Sequence, residues 1–168
     1  EIHNLRGWIL HEKGYVRLAA ESFPKALDFL NSNEYKRISS VYTSLGAINH
    51  SIGDYKGAIR LYNKALTYAE RLKNNEKKLA VIQIESNLAI SYMRLEQFDK
   101  ALESHIRVLN YAIQASNSTL TARSLYNIGN LHLTNSNLKD SEVFFKKSLN
   151  LSNEKGLVFG EMVSMLGL

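Results

Sequence analysis

Asn87 and Asn127 stand 40 residues apart in the same local setting. Each comes just before an aliphatic–small pair, Leu88-Ala89 and Ile128-Gly129, and Asn130 follows the second about one helical turn later. An asparagine amide carries both a donor and an acceptor, so a row of them can pair with both polar groups of an extended peptide backbone. That is binding chemistry, not bond-breaking chemistry. Arg94 and Arg123 would bring positive charge to the same surface, which suits an acidic ligand. His11 and His50 recur 39 residues apart, and imidazoles can bind metal or respond to pH.

Nothing comparable speaks for catalysis. The chain has no nucleophile elbow, phosphate loop, HExxH or paired-carboxylate motif. Ser86, Ser91 and Ser124 read as helix-surface serines with no His and acid at a recognisable spacing. The absence of cysteine excludes disulfides, thiol catalysis and thiolate zinc sites. We therefore expect no enzymatic activity in this stretch of chain, no cofactor and no metal.

Composition bounds the partners. Of 168 residues 45% are hydrophobic, yet no apolar run approaches the roughly 18 residues of a membrane-spanning helix, so no membrane insertion is expected. Lys and Arg number 21 against 16 Asp and Glu, a net charge of +5. The densest basic stretch, Arg71, Lys73, Lys77 and Lys78, has Glu70 and Glu76 interleaved and reads as a solvated junction between helices. No nucleic-acid motif accompanies it, so no nucleic-acid partner is expected. A cytoplasmic location is slightly favoured over a periplasmic one.

The elements that position these residues repeat. Gly7, Gly46, Ala89, Gly129 and Gly167 are separated by 39, 43, 40 and 38 residues. A second small residue follows each of the first four after 12 positions: Ala19, Ala58, Ala101 and Ser141. A third column holds Ala26, Ala65, Val108 and Ser148, and a large ring precedes each by three: Phe23, Tyr62, His105 and Phe145. Self-similarity at this period signals stacked helical repeats. In the second copy Ile38, Val41, Tyr42, Leu45, Ile48 and Ile52 form one helix face. Gly53 can then close that helix in a left-handed conformation and Asp54 can cap the next. Small residues at Gly46, Ala58 and Ala65 let the helices approach closely, with rings filling the space beside them.

The stretch Tyr42–Leu66 resembles a tetratricopeptide repeat (TPR). The period is longer than the family's usual length of about 34 residues, and no proline closes each copy. This resembles the long-period TPR variants of bacterial regulators, kinesin light chains and cell-polarity adaptors. The resemblance implies an all-α, right-handed α-solenoid of four helix-turn-helix repeats plus the first helix of a fifth. We expect one domain over 1–168, with repeats near 1–32, 33–75, 76–117 and 118–155 and a partial one at 156–168, as a piece of a longer protein. Helices are expected near 2–12, 16–31, 34–52, 55–73, 77–95, 98–115, 119–135, 138–153 and 157–168. Pro24 falls inside one of them and predicts a kink or break near residues 20–24.

In the TPR family the first helix of each repeat lines a concave groove. The resemblance places Ser44 and His50 there in the second repeat, Asn87 and Arg94 in the third, and Arg123, Tyr126, Asn127 and Asn130 in the fourth. TPR peptide receptors use asparagines at matching places. The carboxylate clamp of some TPR co-chaperones is not reproduced: Asn87 and Arg123 fit it, but Thr43, Ala47 and Asn127 fill the other places. Helices of adjacent repeats lie about 8–10 Å apart, too far for His11 and His50 to share a metal. The expected function is protein or peptide binding through this groove. The expected setting is the sensory or regulatory region of a larger bacterial signalling protein, such as a diguanylate cyclase, histidine kinase or transcription regulator. The alternative is a structural scaffold that self-associates through its repeat ends.

Overall fold

The computed structural model describes residue 9 and residues 16–157. Among them every regular element is an α-helix. We number these α1 (Val16–Leu27), α2 (Tyr35–Ser51), α3 (Tyr55–Ala69), α4 (Asn74–Arg94), α5 (Phe98–Gln114), α6 (Ser118–Thr134) and α7 (Leu138–Lys155). The expected first helix apart from residue 9, with His11, and the expected last helix past residue 157 lie outside the described residues. The chain divides into two compact units, 1–95 and 96–168, and each is taken by itself.

In the first unit α2 and α3 form a tight hairpin, α1 packs on α2, and α4 packs on α3 and also touches α2. The close approach follows from Gly46: a Cβ built there would lie 2.5 Å from Tyr62 Cε1. The Tyr62 ring thus rests on bare backbone, and burial raises its hydroxyl pKa to about 12. Ala58 and Ala65 are fully buried beside it. Gly53 turns the chain with φ +85°, and the Asp54 carboxylate accepts the Gly57 N–H at 2.8 Å. Phe23, Ala26, Val41 and Ile48 form a core between α1 and α2.

The second unit repeats this construction. Helices α6 and α7 form its hairpin and α5 packs on α6. A Cβ on Gly129 would lie 2.7 Å from the Phe145 ring. Each hairpin also carries a buried bond between its helices. Ser39 donates to the Ala65 carbonyl at 2.9 Å, and Ser148 donates to the Ala122 carbonyl at 2.7 Å.

Of the kink or break expected near residues 20–24, the break does not occur: helix α1 runs unbroken through Pro24. Phe23 and Ala26, 1% and 6% exposed, bury the face on either side, and that burial outweighs the single backbone bond proline removes. Elsewhere only ends shift. The turn expected at Asn74-Asn75 lies at residues 70–73, so that Asn74, at φ +51°, opens α4, and α7 continues past Asn153 to Lys155, with Gly156 its left-handed cap.

Candidate functional site

Helices α2 and α4 present one face of the first unit and α6 one face of the second. On α4, Asn87 is half-buried and Arg94 exposed. On α6, Tyr126, Asn127 and Asn130 are half-buried and Arg123 exposed. None of the three asparagine amides makes a side-chain hydrogen bond among the described residues, and neither Arg94 nor Arg123 makes an ion pair there. The backbone carbonyls of Asn87 and Asn130 accept helix-internal bonds from Ser91 and Thr134, at 2.9 Å each. These bonds leave the amides untouched. Tyr126 leans on Phe145, ring centroids 5.3 Å apart, and so belongs partly to the hairpin core.

Ser44 is placed differently from its neighbours. It is 2% exposed, and its hydroxyl donates to the Ser40 carbonyl at 2.9 Å. A short side chain with its hydrogen already bonded offers nothing to a ligand. His50 is half-buried: its ring meets Tyr55 edge-on at 5.0 Å, and its Nδ1 lies 3.0 Å from Ser91 Oγ on α4. The Ser91 hydroxyl already donates to Asn87, so its oxygen accepts from Nδ1–H of His50. That fixes the tautomer and leaves Nε2 as an acceptor. Burial, and then the charge of Arg94, hold the His50 pKa below its usual range, so the ring is neutral at pH 7.

The contact between His50 and Ser91 could not be read from spacing, because it spans 41 residues and depends on α2 meeting α4. Ser91 is fully buried and Ser124 is 2% exposed, so neither is the surface serine expected from sequence. A serine shut away from solvent cannot reach a substrate carbonyl, so the histidine–serine pair acts as a brace between two helices. Two clefts adjoin these faces. One of about 250 Å³ lies between α2 and α4, with Ser40, Thr43 and Gln83 on its walls. The other, of about 360 Å³, lies against α6 and α7, between Leu133, Leu138, Phe145 and Leu149. Among the described residues no helix is long and apolar enough to cross a membrane.

Paired helices repeating at this interval, small residues under rings, and open polar faces define an all-α helical-repeat protein of the α-solenoid class, a module for protein–protein interaction. Models of the tetratricopeptide repeat match residues 39–71 and 78–154. The chain belongs to the tetratricopeptide repeat family. It is 28% identical over 142 residues to human peptidyl-prolyl cis-trans isomerase FKBP4, covering 80% of this chain and 30% of that protein. The apo form of RapI superposes with a TM-score of 0.83 at 14% identity, over 96% of this chain and 45% of RapI. A Rap protein complexed with competence and sporulation factor superposes at 0.69 and 18% identity, over 96% and 45% of the two chains. At these identities the likeness to the solved structures is one of fold. The chain thus spans less than half the length of each of these proteins.

Proposed function

We propose that the face of α2 and α4 in the first unit, and by itself the face of α6 in the second, each dock an extended protein segment, within a larger signalling protein. The observation that carries this reading is the set of three asparagine amides, Asn87, Asn127 and Asn130, with no side-chain partner among the described residues. Each can hold one residue of a peptide backbone by a donor–acceptor pair. Arg94 and Arg123 favour an acidic segment. His50 supplies an acceptor through Nε2, and Tyr126 an aromatic edge. Ser44 drops out of the ligand-contacting set because it is buried. The likeness to Rap proteins supports a bacterial regulatory setting. Titration of a cognate peptide against the parent, Asn87→Ala and Asn127→Ala tests the assignment. We expect each substitution to weaken binding about tenfold, the equivalent of a lost backbone pair. Unchanged affinity in both variants would remove the amides from the site.

A second reading, assembly through repeat ends, draws on the apolar cleft of α6 and α7, where Leu138 is 67% exposed. Sedimentation at rising concentration separates the two, since assembly requires growth in mass and peptide docking does not.

A further inference from the structure

We infer that the outer stripe of α3 is a docking surface for an acidic α-helix of a partner protein. Helical periodicity sets Lys56, Arg60 and Lys64, four residues apart, in one row, with Asn63 and Thr67 beside it. All of these side chains are exposed. The row lies opposite the buried face of the same helix, made by Ala58, Tyr62, Ala65 and Ala69, and so points away from the hairpin core. From Tyr55 to Ala69 the helix holds no carboxylate. The row belongs to a different helix from the asparagines of the proposed docking faces, and it is a second surface beside that reading.

The charge of this row is uncompensated. The carboxylates next to it in the chain are engaged elsewhere. Asp54 accepts from the Gly57 N–H at 2.8 Å and from the Asn49 amide at 3.1 Å, and Glu70 pairs with Lys77 at 2.5 Å. Lys64 lies over the Tyr42 ring at 5.4 Å, which positions its charge without neutralising it. None of the three cations makes an ion pair among the described residues. Like charges four residues apart repel along a helix, and Lys56 stands in the first turn, where the helix dipole disfavours a cation. The other second helices are built differently. Counted from the small residues Ala58 and Ala101, Arg60 corresponds to Glu103 and Lys64 to Arg107, and those two form an ion pair at 4.0 Å. On α7, Glu142 pairs with Lys146. The repulsion on α3 is relieved when a partner brings carboxylates to it.

Geometry selects the class of partner. Four residues of helix rise about 6 Å, so carboxylates at the same interval on a partner helix meet the cations one for one. The tyrosine rings of this hairpin are already covered: Tyr42 stacks on Tyr68, centroids 5.8 Å apart, and Arg71 lies over Tyr35 at 5.3 Å. These rings are therefore closed to the bases of a nucleic acid, which need a free face to stack on. The row itself holds only Lys, Arg, Asn and Thr, with no apolar side chain to enter a bilayer. A carboxylate-bearing helix complements the row without needing either.

Fluorescence anisotropy of the 168-residue chain with three labelled alanine-based helical peptides tests this: one with Glu at i, i+4 and i+8, one with the same glutamates scattered around the helix, and one with Lys in the aligned places. We expect the aligned Glu peptide to bind saturably and about tenfold or more tighter than the other two. Arg60→Glu with Lys64→Glu should weaken it by a similar factor, and added salt should weaken it as the Debye length shortens from about 30 to about 8 Å. The remote reversal Lys139→Glu should leave it unchanged. Arg60 and Lys64 are exposed, so the double reversal should fold, and its thermal melt confirms this. Equal binding of the scattered peptide, no binding of the aligned one, or tighter binding of a labelled oligothymidine or of phosphatidylserine vesicles overturns the proposal. If Arg123→Glu abolishes binding and the α3 reversal does not, the peptide sits on α6: the α3 surface falls and the docking reading above stands. The opposite pattern upholds the α3 surface.

Discussion

The α2–α3 hairpin and the α6–α7 hairpin share a frame and differ almost everywhere a ligand could touch. Gly46 over Tyr62 matches Gly129 over Phe145. The Asp54 cap matches Asn137, which accepts from the Asp140 N–H. The buried interhelix bond joins residues 26 apart in both, yet its donor is on the first helix in one and on the second in the other. In register with Arg123, Asn127 and Asn130 of the second stand Ser40, Ser44 and Ala47 of the first, of which Ser44 is buried. The frame is held by close approach, which only a few residue types permit. The face carries fewer such constraints, so it is where the copies are freer to become different.

The largest test of that frame lies in its ring column. His105 occupies the place of Tyr62 and Phe145 and is 4% exposed. Burial pushes its pKa down to about 4 from 6.5. Between those values the unfolded chain takes up a proton that the folded chain resists. This contribution to stability is therefore complete above about pH 6.5 and declines as the pH falls toward 4. The slope reaches about 1.4 kcal/mol per pH unit, some 3 kcal/mol in all. Urea midpoints at pH 7 and pH 4.5 should fall much further in the parent than in His105→Phe. Parallel losses in the two proteins would acquit the histidine.

Gly46→Ala and Gly129→Ala break the feature the hairpins share. Each gains about 1 kcal/mol of helix propensity but drives a methyl into a ring, costing about 1–3 kcal/mol. We expect net losses of up to about 2 kcal/mol by chemical denaturation, partly recovered by Tyr62→Leu in the first hairpin and Phe145→Leu in the second. A net gain in either would mean that the ring moves aside freely.

Ser39→Ala and Ser148→Ala should each cost about 1 kcal/mol, despite opposite donor direction. Ser124→Val should cost nothing or stabilise, because the buried Ser124 hydroxyl has no hydrogen-bond partner among the described residues and the matching residue of the first hairpin is Val41. The smallest effect concerns the turn. Ser136 holds φ +58° where the first hairpin has Gly53. Relief of left-handed strain, about 1–2 kcal/mol, exceeds the entropy that glycine loses, about 0.5–1 kcal/mol. Ser136→Gly should therefore raise the melting temperature slightly, and a drop would show that the serine is unstrained.

Much of the frame was legible because it rests on residue size at fixed intervals. The columns through Gly46, Ala58 and Ala65 located the hairpin, and Gly53 and Asp54 located its turn and cap. Glu96 and Ser136 share the left-handed position of Gly53, but residues with side chains give no such signal. At Pro24 a local rule allows a break that tertiary burial of Phe23 and Ala26 overrides. The face was less legible, since its columns give position but not depth. Ser44 and Asn127 are equivalent in register, yet the serine is buried and the asparagine half-exposed. The brace between His50 and Ser91 depends on helix adjacency that no local pattern encodes.

The serine bonds between paired helices have a mechanical consequence. A slip of one residue displaces a helix by about 1.5 Å along its axis, enough to carry a 2.9 Å bond out of range. Each bond therefore acts as a register pin: a hairpin so fastened resists shear, and a push at its turn reaches the opposite end as the tilt of a stiff lever.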